Sequence, residues 1–227
     1  SLHLVFLGNP GTGKTTVARL LAKIYHAIGV LSKGQLVEVD RSGLVAGFVG
    51  QTAIKTSEVI QKALGGVLFI DEAYALSSHD SANDFGREAI ETLLKAMEDH
   101  RSDLIVIVAG YTALMGDFIH ANPGLESRFN KYFYFEDYTG DQLMEIFRSM
   151  CEKNGYTLDE SGQACAARLL HGLYENRDEN FGNARDVRNL FERAVARQAD
   201  RVAALEQPDK EALMALTEAD LQESTQV

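Results

Sequence analysis

A glycine-rich segment near the start of the chain has residue types and spacing suited to binding phosphate. Residues 8–15 read GNPGTGKT and fit the pattern G-x-x-x-x-G-K-[ST], directly after an apolar run and before a helical one. Its glycines let the backbone wrap closely around a pyrophosphate, Lys14 would reach the β- and γ-phosphates, and Thr15 would bind Mg²⁺. The residues expected to bind the nucleotide here are Gly8, Asn9, Pro10, Gly11, Thr12, Gly13, Lys14, Thr15 and Thr16. A nucleoside triphosphate site with magnesium is therefore predicted.

A pair of carboxylates follows another strongly apolar run. Residues 65–76 read GGVLFIDEAYAL, and Asp71 and Glu72 stand where the apolar run ends. Carboxylates at the carboxyl edge of a parallel sheet lie where ligands bind in such folds. Asp71 would hold Mg²⁺ through its water shell, and Glu72 would polarise the attacking water as a general base. Alone, the pair is equally consistent with a solvated helix start, but the phosphate segment upstream favours hydrolysis of the bound nucleotide.

These residues require an α/β fold to position them. The predicted strands are 3–7, 36–39, 66–70, 104–109 and 131–135, and the predicted helices between them are 14–29, 51–64 and 84–99, with a polar loop at 77–84. Such alternation predicts a parallel sheet with helices on both faces. After Tyr138 only helices are predicted: 139–155 with Thr139 as N-cap, 160–176, 183–204, and a short one with a capping box of Thr217 and Asp220. The sequence thus predicts an α/β domain at 1–136 and a helical domain at 137–227.

The composition narrows the range of partners and locations. The formal net charge is −11, and no run of Lys or Arg forms a basic stripe, so nucleic-acid binding is disfavoured. The longest apolar run, at 104–110, is too short to span a bilayer, so no membrane segment is expected. Cys151 and Cys165 are expected to be buried thiols in a reducing compartment, and we predict a cytoplasmic protein. The chain starts on a strand-like run at Ser1, so we expect it to be a fragment of a longer protein.

Several motifs taken together resemble those of a known family. The segments GNPGTGKTT, GVLFIDEAYAL, VIVAGY and NPGLESRF, followed by a helical lid, are similar to those of AAA+ ATPases. More narrowly, the chain resembles the CbbX/CfxQ family, which includes the red-type Rubisco activase, the stage V sporulation protein K and type VII secretion ATPases of the EccA kind. The resemblance extends from Leu2 to about Leu221. It implies a P-loop NTPase fold, with a five-stranded parallel sheet sandwiched by helices and a small all-α lid, and it implies ATP as the nucleotide.

The resemblance also implies roles for two arginines. Arg128, in NPGLESRF, matches the arginine finger that reaches the γ-phosphate bound by the neighbouring subunit. A finger supplied in trans requires a ring, because each site is completed by the next subunit. Arg185, in FGNARDVR, matches the sensor-2 arginine that contacts phosphate from the lid, with Arg188 as the weaker candidate. A surface arginine before an edge strand and helix-surface ion pairs are the alternatives for these positions.

Two further family positions have less typical residues. Ile146 matches the lid residue that packs against adenine in many AAA+ proteins, although plain lid core is an equal alternative. Most AAA+ proteins place Asn or Thr after the fourth strand as sensor 1, which orients the lytic water. The matching residue here is Tyr111, with Thr112 next, and either hydroxyl is a candidate for this role.

The segment at 47–50 reads GFVG and lies between the second predicted strand and the following helix. It resembles the aromatic–hydrophobic–glycine pore loop of AAA+ unfoldases, in which Phe48 and Val49 would line a central channel and grip an extended chain. The flanking glycines would let the loop move with the nucleotide state. The alternative is that both apolar side chains tuck back against the sheet.

These observations lead to one hypothesis with two rivals. The favoured function is an ATP-driven motor: a homo-oligomeric ring, expected to be hexameric, that hydrolyses ATP and pulls on an unidentified protein substrate. The first rival is a nucleotide-dependent switch or assembly scaffold that oligomerises with ATP without threading. A nucleic-acid motor is disfavoured by the acidic charge.

Overall fold

A computed structural model of the chain describes residues 1–77 and 85–222. Except for its first residue, the loop predicted at 77–84 lies outside the described residues. The helix predicted at 84–99 is described from residue 85 onward. The described residues form two compact units. Unit 1 consists of Ser1–Asn9 and Gly13–Phe135, and unit 2 consists of Pro10–Thr12 and the chain from Glu136 onward.

Unit 1 is built around a parallel sheet. Its strands are β1 (Leu4–Gly8), β2 (Leu36–Val39), β3 (Val67–Asp71), β4 (Ile105–Gly110) and β5 (Tyr132–Phe135). They pair in the order β2-β3-β4-β1-β5, and every neighbouring pair is parallel. The predicted five-stranded parallel sheet is confirmed. Because parallel strands end at the same edge, Gly8 and Asp71 both lie at the carboxyl edge of this sheet.

Helices cover both faces of the sheet. They are α1 (Lys14–Ala27), α2 (Arg41–Leu44), α3 (Gln51–Ala63), α4 (Gly86–Asp99), α5 (Thr112–His120) and α6 (Pro123–Arg128), with a 3₁₀ turn at Ala73–Ser77. Alternate residues of a strand point to opposite faces. On β1, Val5 and Leu7 therefore pack into one core with α3 to α6, whereas Leu4 and Phe6 pack into a second core with α1. Burial on both faces explains why the central strands are continuously apolar.

The last strand of the sheet differs from the central ones. Among the described residues, β5 pairs with β1 alone, and Tyr132, Phe133 and Tyr134 are all exposed, Tyr134 to 69%. On the inner side, the Phe133 and Phe135 rings lie 5.9 and 4.9 Å from Phe6. The strand is thus anchored through phenylalanine contacts although its outer edge is open.

A buried histidine closes the start of the β1–β4 ladder. His3 is 6% exposed, and its Nδ1 accepts a hydrogen bond of 2.9 Å from the backbone N–H of Val106. The ring also lies 5.9 Å from the ring of Phe129, next to Arg128. Burial lowers the pKa of His3 to about 4, so the ring is neutral at pH 7.

We expect acidification to destabilise unit 1 through His3. The folded protein holds the ring neutral down to about pH 4, whereas the unfolded chain takes up a proton near pH 6.5. Between these values the unfolded state binds more protons, so the free energy of unfolding falls by about 2 kcal/mol from pH 7 to pH 4.5. Urea unfolding at both pH values measures this loss. His3→Gln should remove it, and an equal loss in the variant would contradict the assignment.

Unit 2 is mainly helical. Its helices are α7 (Gly140–Lys153), α8 (Glu160–Glu175), α9 (Ala184–Ala203), α10 (Lys210–Met214) and α11 (Glu218–Leu221). The capping prediction for Thr139 and the capping box of Thr217 and Asp220 are confirmed. The prediction of a purely helical unit missed a pair of two-residue parallel strands, β6 (Thr157–Leu158) and β7 (Ala215–Leu216), because strands this short leave no periodic pattern. Within the described ranges, no helix is long and apolar enough to cross a membrane.

Candidate active site

The phosphate segment connects β1 to α1 and has the backbone expected for binding an anion. Gly8 has φ 149°, and a Cβ there would lie 2.3 Å from the Phe135 carbonyl oxygen, so only glycine fits. Gly13, the residue before α1, also has positive φ, at 94°. Being a glycine, this N-cap residue gives α1 no side-chain capping hydrogen bond. An uncapped helix start after a glycine-rich turn suits a phosphate group, whose charge the helix dipole and the N–H groups stabilise.

Lys14 and Thr15 are held in place at the start of α1. The Lys14 side chain is buried, and its ammonium donates hydrogen bonds to the carbonyls of Gly8 at 2.9 Å and Asn9 at 2.6 Å. The hydroxyl of Thr15 donates a hydrogen bond of 3.3 Å to the Glu38 carboxylate near the end of β2. Sequence reasoning missed Glu38, although its place at the carboxyl end of a predicted strand was a usable signal.

The acidic pair lies at the end of β3 in a strained turn. Glu72 has φ 49°, a left-handed conformation that is uncommon for a residue with a side chain. Its backbone N–H donates a hydrogen bond of 3.0 Å to the Asp71 side chain, and its own side chain is exposed. No cluster of three or more His, Cys, Asp or Glu suited to a metal occurs in the described ranges. A magnesium ion held by Thr15 and Asp71 would therefore complete its coordination with phosphate oxygens and water, which suits its preference.

Two tyrosines lie beside this turn. The rings of Tyr74 and Tyr111 are 6.5 Å apart, and Tyr74 leaves no room for a side chain on Gly110 at the end of β4. Burial, and then the charges of Glu72, Tyr111 and Asp71, raise the pKa of Tyr74 to about 12, so its hydroxyl keeps its proton. Tyr111 is half-buried, whereas Thr112 is exposed as the first residue of α5. Tyr111 thus packs beside Tyr74, whose hydroxyl is within the influence of the acidic pair.

Arg128 ends α6 and is tied to its own chain. One guanidinium nitrogen donates to the Gly124 carbonyl at 3.3 Å, and another lies 3.6 Å from the Glu98 carboxylate on α4. Its side chain is 28% exposed. Among the described residues, Arg128 makes no hydrogen bond or ion pair with the phosphate segment or with Glu72, so the structure does not bring it into the site of its own chain.

The 47–50 tip projects from unit 1, and its base is fixed. Phe48 is 72% exposed and Val49 is 83% exposed, so the alternative in which they tuck back against the sheet is wrong. The base is held by α3: Thr52 accepts a hydrogen bond of 3.0 Å from the Ala46 N–H, and the Thr56 hydroxyl donates to the Leu44 carbonyl at 2.9 Å. The base is therefore fixed by hydrogen bonds to α3, whereas the tip is apolar and exposed.

One residue of unit 2 that sequence reasoning missed joins Pro10 to the segment before α7. Asn183 is fully buried, with the unusual backbone angles φ 53° and ψ −123°. Its side chain accepts from the Tyr138 N–H at 2.8 Å and donates to Asp137 at 2.8 Å and to the Pro10 carbonyl at 3.3 Å. Such strain is retained where surrounding contacts fix it. The next residue begins α9, the helix of the sensor-2 candidate.

Comparison with known proteins decides the family. Residues 4–137 match the family model "ATPase family associated with various cellular activities (AAA)", and residues 139–227 match the model "AAA lid domain". The chain is also 45% identical over 226 residues to Protein CbbX of Cereibacter sphaeroides, covering 99% of this chain and 72% of that protein. The chain belongs to the CbbX-type AAA+ ATPases. The predicted family is confirmed, and this AAA+ chain is an enzyme that hydrolyses ATP.

Other relatives agree with this placement. The chain is 45% identical to the chloroplastic ribulose bisphosphate carboxylase/oxygenase activase of Cyanidioschyzon merolae, covering 89% of this chain and 69% of that protein. A crystal structure of the FIGL-1 AAA domain in complex with ADP matches with a TM-score of 0.63 at 19% identity, covering 97% of this chain and 69% of that one. The AAA+ fold with its lid is therefore confirmed, and ATP is the nucleotide expected for the phosphate segment.

The lid residues predicted from the AAA+ family have clear positions in unit 2. Arg185 is the second residue of α9 and is exposed, as is Arg188 one turn later. Ile146 is half-buried on α7 and packs against the core of unit 2. Contact of Arg185 with phosphate and of Ile146 with adenine stay predictions.

Proposed function

We propose that the chain is the motor domain of a hexameric ring that uses Mg²⁺ and ATP to pull on a protein partner. The observation that carries this proposal is the exposed pair Phe48 and Val49 on a tip with a fixed base. Exposure of a phenylalanine and a valine side by side gives up burial free energy of about 1.5–3 kcal/mol for each. In a ring whose channel these side chains line, they would contact the partner chain, which explains why they are exposed.

The tip has the properties needed to grip an unfolded chain. Apolar contact does not depend on the sequence gripped, and Gly50, at φ 78°, has open space around its Cα, as does Gly47. Both glycines therefore leave the tip free to shift while its base stays bound to α3. A switch or scaffold that binds ATP without threading has no need for these exposed residues.

The start of α1, the acidic pair and Arg128 each have a role in this cycle. Bound ATP would supply the phosphoanhydride bond, and Mg²⁺ would neutralise the charge of its phosphates. Lys14 would contact the β- and γ-phosphates, Thr15 and Asp71 would hold the ion, and Glu72 would accept the proton of the attacking water. Arg128 would reach the ATP of a neighbouring subunit, which its weak, partly exposed pairing with Glu98 permits at little cost.

The relatives and the composition support the class of partner. One relative is named an activase of ribulose bisphosphate carboxylase/oxygenase, which is itself a protein. The net charge of −11 disfavours a nucleic-acid track. The buried free thiols of Cys151 and Cys165 are consistent with the cytoplasm, where we place the protein.

Cross-linking between tips tests the ring and its channel without a partner. Phe48→Cys, made in a Glu72→Gln background to retain ATP, places a reactive thiol on each tip, because the two native thiols are buried. With ATP, a short bismaleimide should give covalent dimers, because each tip carries one thiol and each thiol reacts with one maleimide, and without nucleotide it should not. Ile54→Cys on α3, 61% exposed at its native side chain, is the matched control and should give only background. Equal cross-linking at both positions would contradict convergence of the tips.

A further inference from the structure

A cleft of about 480 Å³ opens in unit 1 beside the catalytic carboxylate. Its walls are formed by residues 40–42, residues 45–47, Glu72 and Ala75. The first group contains the start of α2, the second leads into the 47–50 tip, and the last two belong to the turn after β3. The cleft therefore lies between the turn that carries Glu72 and the residues that lead into the apolar tip.

Arg41, the first residue of α2, makes such a connection. Its guanidinium donates a hydrogen bond of 2.7 Å to the carbonyl of Ala75. Ala75 in turn donates its N–H to the Glu72 carbonyl at 2.9 Å, so the guanidinium is bound to the turn that carries the general base. A Cβ on Gly86 would lie 2.8 Å from the Arg41 nitrogen and 2.0 Å from the Leu76 carbonyl oxygen, so glycine is needed beside this contact.

The segment that begins with Arg41 is bound tightly to the base of the tip. The Arg41 carbonyl accepts from the Val45 N–H at 2.9 Å, and the Asp40 carboxylate accepts from the Gly43 N–H at 3.2 Å. The Lys55 ammonium of α3 donates to the carbonyls of Ser42 at 2.6 Å and Val45 at 3.1 Å. These hydrogen bonds brace the segment from Asp40 to Val45, which connects Arg41 to the start of the tip.

We propose that Arg41 is a positioning residue that couples the nucleotide state at Glu72 to the position of the 47–50 tip. When the Glu72 turn adjusts to ATP or ADP, the Ala75 carbonyl moves with it, and the charge-assisted hydrogen bond carries α2 along. Because α2 ends at Leu44 and the chain then runs through Val45 and Ala46 into Gly47, the tip follows. The inference rests on the proposed motor function and adds a residue that neither the phosphate segment nor the acidic pair identifies.

An environment-sensitive fluorophore on Phe48→Cys tests the coupling in the full chain. The emission should differ between the non-hydrolysable analogue AMPPNP and ADP when Arg41 is present. Arg41→Met keeps the aliphatic volume but removes the donors, and it should reduce this difference at least fivefold while AMPPNP affinity stays within about threefold. Arg41→Lys, which restores a cationic donor, should recover at least half of the difference. A merely structural role for Arg41 would not separate the two variants in this way.

Two outcomes would contradict different parts of the account. Arg87→Met on α4 is the matched control, because Arg87 is an exposed arginine paired only with its helix neighbour Glu91 in the described structure, and it should leave the response unchanged. If Arg41→Met responds as fully as the parent, the coupling is wrong although the motor function stands. If the parent itself gives no nucleotide response, the tip does not follow the nucleotide, and the proposed function fails together with the coupling.

Discussion

Replacing Glu72 by glutamine should reduce ATP turnover by about 10²–10⁴-fold while leaving ATP bound. The amide has the shape of the carboxylate but cannot accept the proton of the attacking water. Phosphate release measures turnover, and a fluorescent ATP analogue measures affinity, which should stay within about threefold. Glu91→Gln on α4 removes an exposed carboxylate elsewhere in unit 1 and should change neither quantity.

The backbone at Glu72 gives a structural reason for this expectation. A non-glycine residue at φ 49° costs stability, and such strain is concentrated where a side chain must be aimed at a ligand. The hydrogen bond from the Glu72 N–H to Asp71 fixes the geometry of the pair. If Glu72→Gln keeps more than a tenth of the parent turnover, the general base must be assigned to another group, with Glu38 beside Thr15 as the next carboxylate to test.

Removal of the Arg128 side chain should reduce ATP turnover more than Glu72→Gln does. Stabilisation of the transferring phosphoryl group by an arginine finger is worth about 10³–10⁵-fold in rate, so Arg128→Ala should approach the loss seen without a functional site. ATP affinity should change little, because Arg128 makes no polar contact with the phosphate segment among the described residues. Arg128→Lys should recover little of the rate, since an ammonium lacks the planar fork of donors.

A neighbouring arginine provides the matched control for Arg128. Arg101 lies 3.6 Å from Glu98, the same carboxylate that pairs with Arg128, and is largely exposed. Arg101→Ala thus removes the same charge and the same partner contact, yet it should leave turnover within about twofold. Equal losses in the two variants would show that the effect comes from Glu98 and α4 and not from a finger.

The sequence predicted those parts of the site in which residues close together in the chain must be of particular types. The turn at 8–15 needs glycine at Gly8, whose φ of 149° and contact with Phe135 exclude other residues, so the pattern is visible in the chain itself. The strands of unit 1 were predicted within one residue because the central ones are buried on both faces and read as continuous apolar runs. The acidic pair follows from its place at the end of such a run.

The residues that sequence reasoning missed act through contacts distant in the chain. Asn183 binds Pro10 173 residues away, and Arg41 binds Ala75 34 residues away. Neither contact leaves a local periodicity, and each depends on the way strands and loops are brought together. The short helices α2, α5 and α6 were also missed, because segments of 4, 9 and 6 residues give too few turns for a clear apolar stripe.

The central claim is that each ATP site is completed by the next subunit of a ring, and mixing two inactive variants tests it most directly. Arg128→Ala subunits keep Lys14 but lack the finger, whereas Lys14→Ala subunits keep the finger but lack phosphate binding. At equal amounts and random assembly, about a quarter of the sites would pair an intact Lys14 with a neighbouring intact Arg128. We predict that ATP turnover returns to about that fraction of the parent rate, and no recovery at any mixing ratio would contradict catalysis in trans.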